Sequence, residues 1–173
     1  MNREEIEHLI RAAGAITQSD EIIIIGSQSI LGAFPNAPKS LLKSREAGLI
    51  PVQHPEHWNL IDGVLGELSP FDETFGYFAD GVEENTAILP KGWKNRLVRI
   101  KNENTANISG LCLEPHDLMA SKLIAARDKD LEFVSAALTE KLVSAKTIEE
   151  RLNLLPSQKN QIKIATAWLN KQA

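Results

Sequence analysis

The feature that most constrains the fold of this chain is a run of four isoleucines that ends abruptly at a glycine. Residues 22–25 are β-branched and apolar, which is typical of a strand buried on both faces of a sheet. Gly26 ends this run, and residues 27–31 then have the composition of a helix start, with Ser27 able to cap it. The order of strand, glycine turn and helix predicts an α/β unit at this point.

The remaining elements follow from the spacing of apolar residues. We predict helices over residues 3–18 and 57–68, strands over 45–50, 75–79, 97–100 and 108–113, a turn at Asp80-Gly81, and helices from Glu114 almost to the end. This order predicts a mixed α/β fold, a small sheet flanked by helices. We expect an α/β core over residues 1–113 and a C-terminal helical region over 114–173 packed on it.

Charge and hydropathy exclude several function classes. The 173 residues carry a net charge of −4, which argues against a broad electrostatic grip on nucleic acid, so the Lys/Arg clusters at 39–45 and 91–101 are interpreted as solvated faces. Cys112 is the single cysteine and lies in an apolar run, which favours a buried side chain over a nucleophile. The polar first residues and the absence of a long apolar run predict a cytoplasmic protein without a membrane partner.

The turn at Gly26-Ser27 is the first candidate for chemistry. Glycine lets the backbone approach a phosphate closely, a helix N-terminus offers unpaired N–H groups, and the Ser27 hydroxyl adds a donor. Simple helix capping explains the same pair of residues. Glu46, in the second predicted strand, adds a carboxylate, and Mg²⁺ prefers carboxylate and phosphate oxygens.

In this ordered combination the sequence resembles the nucleotidyltransferase superfamily. More narrowly, it is similar to bacterial nucleotidyltransferase-like proteins related to toxin–antitoxin toxins. The matching residues are Gly26-Ser27, Glu46, Lys122 and the run Arg127-Asp128-Lys129-Asp130, and the resemblance covers about residues 1–140. It implies that Gly26, Ser27 and Lys122 bind the nucleotide, that Glu46 holds Mg²⁺, and that Glu46, Lys122 and Asp130 are catalytic.

One position departs from the family pattern. The pattern has a second carboxylate two residues after Glu46, on the same face of the strand, but this position is Gly48. With one acid, Mg²⁺ would be held mainly by water and substrate phosphate. Asp62, Asp72 or Glu73 are candidates to supply the missing carboxylate.

Other interpretations of these residues stay open. Lys122 fits a surface lysine as well as a phosphate contact, and Asp130 fits a cap of the helix whose apolar stripe begins at Leu131. The motif His54-Pro55-Glu56-His57 lacks the i, i+4 spacing of a helical metal site, so we expect no zinc there. A hydrolase triad of Ser27, His116 and Asp117 is also not expected, because neighbouring residues on a helix point in different directions.

Two functions are therefore expected. The first is NTP- and Mg²⁺-dependent transfer of a nucleotidyl group to a hydroxyl of RNA or protein, impaired if Gly48 weakens the metal site. The alternative is a non-catalytic nucleotide-binding or protein-interaction module, for example a toxin–antitoxin component that binds an antitoxin-type partner. In that case the apolar residues of the last helices, such as Leu152, Leu154 and Leu155, either dock the partner or simply cover the sheet.

Overall fold

The computed structural model describes residues 1–157 and 159–172 and contains one mixed five-stranded sheet. Its strands are β1 (Glu21–Ile25), β2 (Glu46–Pro51), β3 (Phe78–Gly81), β4 (Val98–Ile100) and β5 (Ser109–Cys112). They lie in the order β3-β2-β1-β5-β4. The pairs β1–β5 and β2–β3 are parallel, whereas β1–β2 and β4–β5 are antiparallel. The predicted fold class, a small mixed sheet flanked by helices, is confirmed.

Eight α-helices surround this sheet within the described residues. They are α1 (Arg3–Thr17), α2 (Ile30–Ala33), α3 (Trp58–Leu65), α4 (Pro70–Phe75), α5 (Pro115–Ala125), α6 (Asp128–Thr139), α7 (Ala145–Leu152) and α8 (Lys159–Asn170). In the part of the chain that the structure describes, no helix combines the length and the apolar character that crossing a bilayer requires.

The isoleucine run forms the central strand of the sheet, as predicted. Residues 22–25 are each at most 4% exposed, and β2 and β5 flank β1 on its two edges. Helix α1 covers one face, where Ile10 packs against β5. A Cβ at Gly110 would lie only 2.3 Å from the Ile10 Cδ1 atom, so glycine is what lets this helix approach the sheet.

The C-terminal helices share the hydrophobic core of the sheet. Leu118 of α5, Val134 of α6, Leu152 of α7 and Leu169 of α8 belong to the same buried cluster as the β1 isoleucines. Leu155 is also buried, which favours the interpretation that these apolar residues cover the sheet, whereas Leu154 is 39% exposed. The division into two regions at residue 113 stays a prediction.

One local prediction was wrong and another was shifted along the chain. The aromatic segment 75–79 was predicted as a strand and Asp80-Gly81 as a turn, but α4 runs through Phe75 and β3 begins only at Phe78, so Asp80 lies inside a strand. Helix α4 forms because Ser69 caps it, accepting from the Asp72 backbone N–H at 3.2 Å, and Pro70 suits its first turn. The parallel pairing with β2 then draws Asp80 into the sheet.

The predicted helix start at Ser27 also needs correction. Gly26, not Ser27, occupies the capping position, and the next residues form a 3₁₀ turn (Ser27–Ser29) that leads into the four-residue helix α2. The hydroxyl that closes the turn belongs to Ser29, which donates to the Gly26 carbonyl at 2.7 Å. A helix this short provides little macrodipole, so the backbone of the turn is the main feature left for a phosphate.

Candidate active site

The turn after β1 opens onto a cavity. Gly26 has a φ of 78°, a left-handed value that favours glycine, and a Cβ placed there would meet no atom within 4 Å. Gly26 is exposed and Ser27 is half-buried. The space beside the backbone of this turn is therefore available to a ligand.

This cavity has a volume of about 410 Å³ and lies between the end of β1, the start of β2 and helices α5 and α6. Its lining includes all five residues predicted from the sequence: Gly26, Ser27, Glu46, Lys122 and Asp130. A second cavity of about 400 Å³ shares Gly26, Glu46, Lys122 and Asp130 with the first. The structure thus brings the predicted residues together, while their individual roles stay predictions.

Lys122 provides a buried cation on the helical wall of the cavity. It is 7% exposed, its Nζ donates to Asp130 Oδ1 at 3.0 Å, and Nζ lies 4.6 Å from the centre of the Phe133 ring. Burial lowers the pKa of Lys122, and the contact with Asp130 opposes this effect. The interpretation of Lys122 as a surface lysine is wrong.

Asp130 is the anion that organises this wall. It is fully buried and accepts hydrogen bonds from Lys122 and from Arg127, whose Nε lies 2.6 Å from Asp130 Oδ2. Burial alone would raise the pKa of Asp130, but these bonds lower it below its ordinary value, so the carboxylate stays charged. The capping interpretation is wrong, because α6 begins at Asp128 after Arg127 and the Asp130 side chain points to the two cations.

Arg127 links the helical wall to the start of β2. The Arg127 side chain contacts Asp130 and is still 63% exposed. The hydrogen bond with Asp130 raises the pKa of Arg127, and the negative charge of Glu46 adds to that rise. Lys122, Arg127 and Asp130 together carry a net charge of +1, which suits an anionic ligand. In the sequence analysis Arg127 was named only as part of the run Arg127-Asp128-Lys129-Asp130, without a role of its own.

Asp80 is a second acidic residue close to Glu46. In the parallel pair β2–β3, Asp80 lies beside Gly48, and Gly48 shares a strand face with Glu46. Burial and the negative charge of Glu46, with which Asp80 shares a hydrogen bond, raise the pKa of Asp80 to about 6. Two neighbouring carboxylates offer oxygen ligands of the kind that a hard divalent cation prefers, and such a cation would offset their repulsion.

Gly48 has no side chain, and the strand face at this position has little space for one. A Cβ at this position would lie 3.1 Å from Ile25 Cγ1 and 3.5 Å from Val82 Cγ2, so the strand face here is already crowded. The sequence left open that a carboxylate from elsewhere in the chain takes this place. The candidate in the structure is Asp80 of the neighbouring strand, and its role stays a prediction.

The three acids that the sequence suggested as a source of the second carboxylate make other contacts. Asp62 Oδ1 accepts from the Gly81 backbone N–H at 2.6 Å, which supports β3 from behind. Asp72 pairs with Arg45 and accepts from the backbone N–H of Leu68 at 3.1 Å. Glu73 is exposed on α4. The signal that would have identified Asp80 is the register of a parallel strand pair, which local patterns do not contain.

Two further sequence predictions concern single residues. Cys112 is fully buried, as predicted, and burial raises the pKa of its thiol to about 12, so it is not a nucleophile at neutral pH. Lys43 was interpreted as part of a solvated face, and it is exposed; it also lines the cavity together with Lys129. These two lysines add positive charge near the polar mouth of the site.

The family comparison agrees with this geometry. Residues 4–168 match the family described as "Nucleotidyltransferase of unknown function (DUF6036)". Comparisons with curated proteins and with solved structures give no match. Because the matched region includes nearly the whole chain and every residue of the cavity named above, this protein belongs to that nucleotidyltransferase family.

Proposed function

We propose that this protein transfers a nucleotidyl group from a nucleoside triphosphate to a hydroxyl of RNA or protein, with Mg²⁺ bound between Glu46 and Asp80. The observation that carries the proposal is the position of Asp80, which lies beside Gly48 next to the strand of Glu46, at the cavity that Gly26, Glu46, Gly48 and Lys122 line. Carboxylate oxygens are the donors that Mg²⁺ prefers, so the residues fit this ion. When bound, Mg²⁺ polarises the transferred phosphoryl group.

The chain's own residues divide the remaining tasks. The open backbone at Gly26 and the Ser27 hydroxyl receive phosphate oxygens, and Lys122 and Arg127 offset the charge that develops on the leaving pyrophosphate. The acceptor oxygen attacks the α-phosphorus, the bond to pyrophosphate breaks, and the acceptor proton passes to the carboxylate pair. Asp130 acts as a positioning residue because it holds both cations in place.

A label-transfer experiment tests the proposal. Purified protein is incubated with Mg²⁺, total RNA or a protein extract, and each NTP labelled at either the α- or the γ-phosphate. We expect transfer of the α label and no transfer of the γ label. The variants Glu46→Gln and Asp80→Asn should abolish transfer, whereas Glu73→Gln, which removes an exposed carboxylate on α4, should not. If the protein binds none of the four NTPs at millimolar concentration, the proposal is contradicted.

The same experiment separates catalysis from the non-catalytic alternative. If the protein binds an NTP with Mg²⁺ but yields no labelled acceptor and no pyrophosphate, a nucleotide-binding module is the better description. A toxin–antitoxin role requires further that expression of the chain is toxic and that a neighbouring gene product relieves the toxicity. Toxicity that persists in Asp80→Asn would separate a protein-contact mechanism from a catalytic one.

A further inference from the structure

A second cluster of metal-ligating side chains lies away from the nucleotide cavity. We propose that His54, Glu56 and His57 form a binding site for a transition-metal ion of the Zn²⁺ class. These residues follow β2 and lead into α3, whereas Glu46 lies at the other end of β2. Their three ligand atoms lie within 4.8 Å of one another.

The distances suit a tetrahedral ion. Glu56 Oε1 lies 3.3 Å from His54 Nδ1 and 3.8 Å from His57 Nε2. Metal–ligand bonds of about 2.0–2.1 Å in tetrahedral geometry place neighbouring ligands about 3.3 Å apart. The ion would therefore require small shifts at the carboxylate, and it would draw the two stacked imidazoles, whose centres are 4.9 Å apart, closer together. Water completes the fourth position at this surface.

The other nitrogen of His57 already has the partner that metal-binding histidines use. His57 Nδ1 lies 3.2 Å from the backbone carbonyl of Thr17, so Nδ1 carries the proton and donates it to that carbonyl. The lone pair of His57 then lies on Nε2, the atom that faces Glu56. Thr17 ends α1, and the partial negative charge at the C-terminus of that helix also favours a cation.

The segment is ordered before an ion arrives. The His57 backbone N–H donates to the His54 carbonyl at 2.9 Å, which closes a 3₁₀ turn around Pro55. Ahead of it, Gln53 Oε1 accepts from the backbone N–H of Glu21 at 3.2 Å. The backbone that carries the three ligands therefore has little freedom left to lose on binding. The sequence argument against zinc considered only histidines spaced i, i+4 on one helix. In the structure a 3₁₀ turn brings His54, Glu56 and His57 together instead.

The other two histidines are engaged elsewhere. His8 Nδ1 lies 2.7 Å from the Tyr77 hydroxyl. His116 Nδ1 lies 2.6 Å from Glu114 Oε1, and its Nε2 accepts from the Ser144 backbone N–H at 3.1 Å. Among the four histidines of the chain, His54 and His57 are thus the pair that converges on a shared carboxylate.

Calorimetric titration of the full chain with Zn²⁺ tests this site. Millimolar Mg²⁺ is present throughout, because it competes for the Glu46–Asp80 carboxylates but not for imidazole nitrogens. We expect one Zn²⁺ per chain, at least tenfold weaker binding in His54→Gln and His57→Gln, and unchanged binding in His8→Gln. Circular dichroism without metal establishes that each variant is folded.

X-ray absorption of the wild-type Zn²⁺ complex gives an independent answer that needs no variant. We expect a first shell containing imidazole nitrogens. A shell of oxygen atoms alone, no heat of binding at submillimolar Zn²⁺, or equal affinity in the doubly substituted His54→Gln/His57→Gln protein would each overturn the proposal.

Discussion

Replacing Asp80 with asparagine should make the metal-free protein more stable while removing its activity. The pKa of Asp80 rises from an ordinary value of 3.8 to about 6. At about 1.4 kcal/mol for each pKa unit, that rise corresponds to about 3 kcal/mol. Because Asp80 is partly exposed, solvent screening reduces this figure to about 1–2 kcal/mol. Asparagine removes the charge beside Glu46 and can still donate a hydrogen bond to Glu46.

The sign of the pH dependence follows from the direction of the shift. Since the folded protein holds the Asp80 proton more tightly than the unfolded chain, stability falls as pH rises from about 4 to about 6 and stays low above that. Asp80→Asn should therefore gain nothing at pH 4 and about 1–2 kcal/mol at pH 8, or about 2–8 °C in Tm for a chain of this size.

Urea and thermal denaturation without divalent cations measure this difference. Glu73→Gln is the matched control, because it removes an exposed carboxylate and should leave the pH profile unchanged. Added Mg²⁺ should stabilise the wild type and not Asp80→Asn, since the ion offsets the repulsion between the two carboxylates. A variant that is equally stable or less stable than the wild type at pH 8 would refute the reasoning about the carboxylate pair.

Three further substitutions test other parts of the site. Lys122→Met should cost about 2–3 kcal/mol in urea denaturation, because it leaves buried Asp130 with Arg127 as its remaining cation. Gly48→Asp should lower stability by about 1–3 kcal/mol and should not raise label transfer, since it crowds β1 and adds a third carboxylate. Gly26→Ala should cost about 1–2 kcal/mol, measured by thermal denaturation, because its φ is 78° while the space around it is open.

Much of the fold and part of the site could be predicted from local sequence. The isoleucine run is apolar on both faces, which suits a strand in the middle of a sheet. The glycine after it marks the point where the backbone becomes exposed. The predicted strand of Glu46 is also present, and Glu46 is exposed while its neighbour Ala47 is buried, as strand periodicity requires. These inferences need only the residues of one element.

Asp80 could not be predicted in this way. Asp-Gly has the composition of a turn, and only pairing with β2, about thirty positions earlier in the chain, overrides that local preference. Asp130 is a similar case. Its acidic side chain near a helix start suits a cap, but Lys122 from the preceding helix and Arg127 draw it into a buried ion pair. Both errors concern charges whose partners come from another element.

A crystal structure with a non-hydrolysable nucleoside triphosphate and Mn²⁺ tests the central claim most directly, because anomalous scattering locates the ion without ambiguity. We expect an ion between the carboxylates of Glu46 and Asp80, with phosphate oxygens beside Gly26 and near Lys122. An ion bound elsewhere, or a triphosphate outside the cavity at the end of β1, would contradict it.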